Sequence, residues 1–462
     1  MRILIYSYNY APEPIGIGPL MTELAEGLAA QGHQIRVVTA FPWYPVQEKF
    51  LHYDRFRRLY LTERRNNILL QRCQVYRSKR RNLLNRGLFE LSFMVLSFFQ
   101  ALRRGRPDVV LLTVPGLPVG LPAALIGWLF RCPIVLNLQD ILPDAAIEVG
   151  LLSNPLAIFI FKRLEMFNYW IADRITVISS GFISNLQSKG VNLSKVNLIH
   201  NWVNVDFIKP IPPQQNHIRQ GRLLQERFSH FLDVLGQTPP SFNPDYRLDD
   251  KFIVLYSGNI GLTQPMEKVI KAAKLLEALP QIHFVIVGPE NGLVNLWTYC
   301  KKYNIKNNVT LSPFVDRADL PELMSIANVS LVVQKRNVIS FNMPSKIQTI
   351  SASGRPIIAA VPKEGTAAQA VLKSGGGVWI PPEDSESLAE AITHFYHHPE
   401  EAQRLGEKAR RYAIEHYSYR RAIDRYAALF QDVCSPQSVS AVRATPTSPP
   451  TSGANPSNVS TQ

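Results

Sequence analysis

The chain has 462 residues, 46% of them apolar, which is too long for one ordinary hydrophobic core and too apolar for a disordered polymer. Its four cysteines, Cys73, Cys132, Cys300 and Cys434, stand far apart without CxxC or Cys/His metal spacing, which argues against a disulfide framework or zinc site and fits a reducing compartment. The net charge of +14 gathers in the first quarter, around Arg55, Arg57, Arg58, Arg64, Arg65, Lys79, Arg80, Arg81, Arg103, Arg104 and Arg106. Nucleic acid, an anionic membrane surface and anionic substrates all suit such a field; no nucleic-acid module accompanies it, so no nucleic-acid partner is expected.

Residues 3–6 read as a first core strand that runs straight into turn residues, unlike a signal peptide. A long loop follows, carrying Gly16 and Gly18. Pro19 then opens a helix with Leu20, Leu24 and Leu28 on one face, and residues 34–39 form a second strand. The glycines lie about ten residues past the strand, whereas a dinucleotide fingerprint needs them in the tight turn directly after it. NAD is therefore not expected, and the glycines suggest a ligand approaching backbone closely. The aromatic, proline-stiffened residues 41–45 offer a surface for sugar or lipid, or simple loop packing.

Residues 83–102 form a strongly apolar helix between basic clusters, interrupted by Glu90 and short of the roughly 20 apolar residues a bilayer span needs. It suits interfacial docking or a buried core helix. Residues 109–130 carry no charge, but Pro115, Pro118, Pro122, Gly116 and Gly120 divide them into a strand, a loop and a short helix rather than a span. The next strand, 134–138, delivers Gln139 and Asp140 to its carboxyl end, where open α/β sheets bind ligands. Asp140 is then a functional carboxylate or a helix cap. Strands at 174–178 and 195–199 complete the first half.

Residues 209–250, rich in proline, read as a linker with a short polar helix near 220–235. The β-α logic resumes with a strand at 252–256, a glycine loop at Gly258, Asn259 and Gly261, and a helix at 266–279. Further strands at 283–287, 309–311 and 329–333 follow, the last presenting Lys335 and Arg336. The segment 339–360 reads as loop, helix, glycine stop and buried strand: Pro344 suits the first helical position, Ser345 and Lys346 fall in the first turn, and Gly354 ends the helix. Unpaired amides and Lys346 there suit a diphosphate, although an ordinary capped helix with a surface lysine has the same pattern. Residues 386–433 read as helical, and the Ser/Thr/Pro-rich remainder as disordered.

NYAPEPIGIG, ELAEGLAAQGHQIRVVTAFPWYP, QD-x-x-PDA, YSGNIG followed by Gln264 and Glu267, and MPSKIQTISASGRPIIA occur in this order. Together they resemble the family 4 glycosyltransferases, more narrowly the colanic-acid-biosynthesis, WcaI-type group, over roughly residues 1–433. The resemblance implies an α/β protein of GT-B architecture, two Rossmann-like doubly wound domains facing a central cleft. The expected divisions are an acceptor domain at 1–206, a linker or insert at 207–250, a nucleotide-sugar donor domain at 251–400, and C-terminal helices at 401–434 that pack back on the first domain. A disordered tail occupies 435–462.

The implied activity is retaining hexosyl transfer, without metal or cofactor, from a UDP- or GDP-linked sugar to a lipid-linked saccharide at the cytoplasmic membrane face. Catalytic roles fall on Asp140, Gln139 and Lys346. Donor or substrate binding falls on Gly16, Gly18, Gly258, Asn259, Gly261, Phe314, Lys335, Arg336, Ser345, Lys346 and Thr349, with Pro313 beside Phe314 near the base. Many family members carry Glu at both ends of a Glu-x7-Glu element where this chain has Phe341 and Thr349, and a basic residue where Asn259 stands. Ribose binding is thereby left unassigned, and Lys346, Lys335 and Arg336 remain to neutralise a diphosphate. A sugar-nucleotide epimerase of the same architecture and a non-catalytic scaffold of a polysaccharide assembly are the alternative readings.

Overall fold

The computed structural model describes all residues except 14–15, 43–57, 79–82, 115, 149, 151, 221–222, 235–247, 306, 339–342 and 436–462. The expectations resting on Phe341, on the aromatic loop beyond Pro42, on five of the basic clusters' residues (Arg55, Arg57, Lys79, Arg80 and Arg81) and on the tail from 436 lie outside the described residues.

Two sheets organise the chain. The first comprises β1 (Arg2–Tyr6), β2 (Gln34–Ala40), β3 (Tyr60–Arg65), β4 (Ile68–Cys73), β5 (Val109–Val114), β6 (Ile134–Leu138), β7 (Arg174–Val177) and β8 (Val196–Leu198), in the order β3-β4-β2-β1-β5-β6-β7-β8. Every pairing is parallel except β3 with β4. The second contains β9 (Phe252–Ser257), β10 (Ile282–Gly288), β11 (Val309–Pro313), β12 (Val329–Val333), β13 (Ile357–Ala360) and β14 (Gly377–Ile380), ordered β11-β10-β9-β12-β13-β14 and parallel throughout. Helices cover both faces, so the central strands are buried from end to end, as their near-continuous Val, Ile and Leu runs require. This is the doubly wound GT-B architecture.

Strand order reverses between β1 and β5 in the first sheet and between β9 and β12 in the second, which makes those two carboxyl edges the ligand-binding crevices of such sheets. On one face of the first sheet, α1 (Ile17–Ala30) packs within a core containing Met21, Leu24 and Leu28. On the other lie α2 (Leu83–Leu102), α3 (Gly120–Phe130) and α4 (Pro155–Ile171), side by side. In the second half α5 (Leu223–Val234) lies along β11, α6 (Glu290–Lys302) follows β10, and α7 (Lys346–Ala352) joins β12 to β13.

The last two helices part company. α8 (Pro399–His416) packs on α7, whereas α9 (Tyr419–Val433) crosses to the first sheet and contributes Ile423, Tyr426 and Phe430 to the core beneath α1. The crossing is pinned by Arg410, whose guanidinium donates to the carbonyls of Val205, Ile208 and Ala352 at 2.8, 2.7 and 2.6 Å.

One sequence expectation needs correction, and two features go beyond the sequence reading. α7 begins at Lys346 with Ser345 as its N-cap residue, so Pro344 stands outside the helix, its carbonyl accepting from the Ile347 amide at 3.1 Å. The β3–β4 hairpin is unanticipated; Asn66 and Asn67, at φ 49° and 63°, form its turn. The 209–250 stretch is not a bare linker: Phe231 packs in the core under β9, and Ile218, Leu224 and Leu248 join the core on the other side of that sheet.

Candidate active site

At the second crevice, β9 ends in Tyr256 and Ser257 and hands over to Gly258, whose φ of +147° suits glycine alone. The Tyr256 hydroxyl donates to the Asn259 carbonyl and the Gly261 amide donates to Gln264 Oε1 at 3.0 Å, so the loop is held by its own first and last residues. Ile260 presses against Gly288 and Gly292, where a β-carbon would come within 2.4 and 2.5 Å of it. The loop therefore lies tight on the start of α6. Glu267 accepts from Tyr303 and, at 3.2 Å, from Lys302, which commits it to the scaffold.

Lys346 reaches into this loop from the far side of the crevice. Its Nζ sits 3.7 Å above the centre of the Tyr256 ring, and a β-carbon on Gly258 would lie 2.6 Å from it. The aromatic face attracts the ammonium, but no carboxylate among the described residues pairs with it. Burial without a counter-charge pushes its pKa down to about 7. An ammonium so placed gains most from an arriving anion. Ser345 is exposed and Thr349 half-buried one turn along α7.

Lys335 and Arg336 arrive on the same edge from β12. The Lys335 amide donates to the Thr263 carbonyl at 2.9 Å, tying the end of β12 to the glycine loop. The Arg336 amide donates to Glu383 Oε2 at 3.0 Å, which leaves its side chain exposed. Phe314, 49% exposed at the end of β11, has its carbonyl held at 3.2 Å by Arg227 of α5, whose guanidinium also pairs with Asp316 at 3.0 Å. The insert thus steadies the Phe314 loop. Tyr256 and Arg227 are the residues that sequence reasoning missed. The tyrosine was visible at the head of YSGNIG; the arginine carries no local signal.

The first crevice is differently built. Gly16, at φ +67°, has open space where a side chain would stand and precedes α1, whereas Gly18 is buried against the Glu13 carbonyl. Asp140 Oδ1 accepts from the Ile141 amide at 2.9 Å, and burial raises its carboxyl pKa above the usual carboxylate range. Gln139 sits beside it, half-buried and held at both ends: its Nε2 donates to Asn137 Oδ1 at 3.0 Å and its Oε1 accepts from Asn201 Nδ2 at 2.8 Å. Those two bonds fix the orientation of the Gln139 amide beside Asp140 and give it a supporting role, with one N–H and one oxygen lone pair still to offer a substrate.

The two crevices face one another. Glu23 of α1 pairs with Arg317, just past β11, and accepts from Trp202 Nε1 at 2.9 Å where the chain leaves the first domain. Both carboxyl edges therefore border one cleft, with Asp140 and the glycines on one wall and Lys346, Lys335, Gly258 and Phe314 on the other.

Residues 16–202 match the family model described as "Glycosyl transferase 4-like domain", and residues 241–412 match "Glycosyl transferases group 1". The chain is 33% identical over 402 residues to the putative colanic acid biosynthesis glycosyl transferase WcaI of Escherichia coli (strain K12), covering 85% of this chain and 91% of that one. It is 24% identical over 366 residues to the probable glycosyltransferase WbjE of Pseudomonas aeruginosa, covering 78% of this chain and 83% of that protein. Among solved structures, HepE of Anabaena in complex with UDP superposes with a TM-score of 0.64 at 16% identity, over 94% of this chain and 100% of that one.

Proposed function

Because the chain belongs to the family 4 glycosyltransferases, in the colanic-acid-biosynthesis group that includes WcaI, and is a glycosyltransferase of polysaccharide biosynthesis, we propose that it transfers a hexosyl group with retention. The donor is a UDP- or GDP-linked sugar and the acceptor a lipid-linked saccharide at an anionic membrane surface on the cytoplasmic side. The observation that carries the donor half is the Lys346 ammonium, without a carboxylate partner among the described residues, stacked on Tyr256 against Gly258. HepE, solved in complex with UDP, supports a nucleotide as part of the donor.

In this reading the donor diphosphate lies between the glycine loop and Lys346, with Lys335 and Arg336 adding positive charge and the base against Phe314. The bond from the sugar's anomeric carbon to the diphosphate oxygen breaks, and the bond to the acceptor hydroxyl oxygen forms on the same face. The acceptor's proton passes to the departing phosphate oxygen. Lys346 stabilises the charge that develops on that oxygen, which is where preorganised electrostatics lower a barrier. Asp140, with its raised pKa, lies across the cleft to hold hydroxyls of the transferred sugar.

Calorimetric titration of the purified protein with UDP, GDP and their common sugar derivatives tests the reading. Micromolar binding of one nucleotide class, weakened at least tenfold (about 1.4 kcal/mol) by Lys346→Ala, is the expected result. Failure of every nucleotide to bind would sink it and leave the scaffold alternative.

A further inference from the structure

Well over half of the large apolar side chains exposed among the described residues stand on three neighbouring helices, α2, α3 and α4. On α2 the exposed stripe is Leu88, Leu91, Val95 and Phe99, while Phe93 and Ala101 on its other side are fully buried. The core-packing expectation for this helix therefore holds for one face, and the opposite face is left exposed. α3 adds Leu125 and Trp128, the latter 79% exposed, and α4 adds Phe159 and Trp170, the latter 70% exposed. Because the three helices pack side by side on one face of the first sheet, these side chains form one continuous outward surface. A monomer in water rarely leaves so much contiguous apolar area uncovered.

The charges on this surface have one sign. The acids of the three helices are Glu90 and Glu165, and both are buried; Glu90 accepts from Tyr8 and Glu165 from Tyr169 at 2.8 Å. The exposed ionic groups of the layer and its rim are basic: Lys162 and Arg163 within α4, Arg103, Arg104 and Arg106 after α2, and Arg131 after α3. The Arg163 guanidinium lies 5.0 Å from the centre of the Phe159 ring, so charge and apolar ring share one spot. Paired with a second copy of itself, this face would set basic rim against basic rim. An anionic lipid surface instead takes the apolar side chains between its acyl chains and meets the rim with its headgroups, and tryptophans suit that boundary.

We infer that the α2–α3–α4 face docks in the plane of an anionic lipid bilayer, with Trp128 and Trp170 entering the headgroup boundary. No helix among the described residues is long and apolar enough to cross a membrane, so the contact is peripheral. The inference deepens the proposed function by naming the surface that meets the membrane, and it relies on that reading only for its purpose, not for its geometry.

The experiment is co-sedimentation of the full chain with phosphatidylcholine vesicles, with and without phosphatidylglycerol, and free of donor and acceptor. Vesicle binding is thereby read separately from transfer, and a failure of one does not imply a failure of the other. The wild type is expected to bind phosphatidylglycerol vesicles with a blue shift of tryptophan emission. Trp128→Ala combined with Trp170→Ala weakens that binding by at least about tenfold, and Lys162→Gln with Arg163→Gln removes most of the preference for phosphatidylglycerol. All four positions are exposed, so an unchanged melting temperature is expected to certify folding. Binding to neither vesicle, or undiminished binding by the tryptophan variant, overturns the inference. So does a dimer that forms in place of vesicle binding and is lost with the same substitutions, which would assign the face to a second copy.

Discussion

The two walls of the cleft are built on opposite principles. On the first wall the polar side chains hold one another: Gln139 is held by Asn137 and Asn201, Asn137 also accepts from Tyr426 at 3.3 Å, and the loop after β1 is held where Arg72 donates to the Ala11 carbonyl at 2.6 Å, with the buried Asn201 Oδ1 the exception. On the second wall the strongest group, the Lys346 ammonium, is answered among the described residues by an aromatic face alone. A satisfied polar group costs little and rigidifies, whereas a half-buried charge without a partner costs stability that function must justify. The difference distinguishes scaffold from ligand site better than residue type does, since a glutamine and an aspartate stand adjacent on the first wall with different engagements.

The comparison can be broken most directly at Lys346. Lys346→Ala is expected to lower kcat/KM by about 10²- to 10³-fold, as loss of one preorganised stabiliser of developing charge does, while leaving the melting temperature equal or higher. A loss of stability with little change in rate would reassign the lysine to the scaffold.

The same contrast predicts a pH dependence. In the free protein Lys346 titrates near pH 7, and a bound diphosphate raises its pKa. Binding therefore takes up a proton above pH 7, and donor affinity falls as pH rises through that range, by up to about tenfold per pH unit. Calorimetry in buffers of different ionisation heat measures the proton uptake, which Lys346→Ala should abolish; affinity that is flat from pH 7 to 8 would contradict the assignment.

On the first wall, Gln139→Ala should cost about 1 kcal/mol of stability by leaving the Asn201 amide without its acceptor and removing one of the donors to Asn137, with turnover reduced less than in Asp140→Asn. Denaturant midpoints and single-turnover rates separate the two effects. If Gln139→Ala stops turnover while the midpoint stays put, the glutamine faces substrate after all. The smallest effect is expected at Arg227. Arg227→Ala frees the Phe314 loop and should raise KM for the donor about threefold with kcat unchanged. An equal loss in kcat would place the insert in the chemistry rather than in base binding.

Much of this was legible beforehand because buried parallel strands announce themselves. Residues 134–138 and 329–333 read as strands, and they form β6 and β12 with those bounds. The ends of such strands then located Asp140, Gly258 and Lys335 without any coordinates. The β3–β4 hairpin was missed because its two runs are half polar, Asn66-Asn67 being its main signal. Pro344 misled because its fixed φ suits the first helical residue as well as the turn just before it.

The sequence by itself determined the two doubly wound layers, the crevices at their carboxyl edges and the family, since hydrophobic runs, glycine turns and ordered motifs are local and repeat along the chain. Only the tertiary structure decided which polar groups are spent on one another. That Tyr256 supports both its own loop and Lys346, that Arg227 holds a loop 87 residues away, and that three separate helices share one apolar face are long-range facts. They depend on how strands and helices distant in sequence are brought side by side, and no window of the chain contains that information.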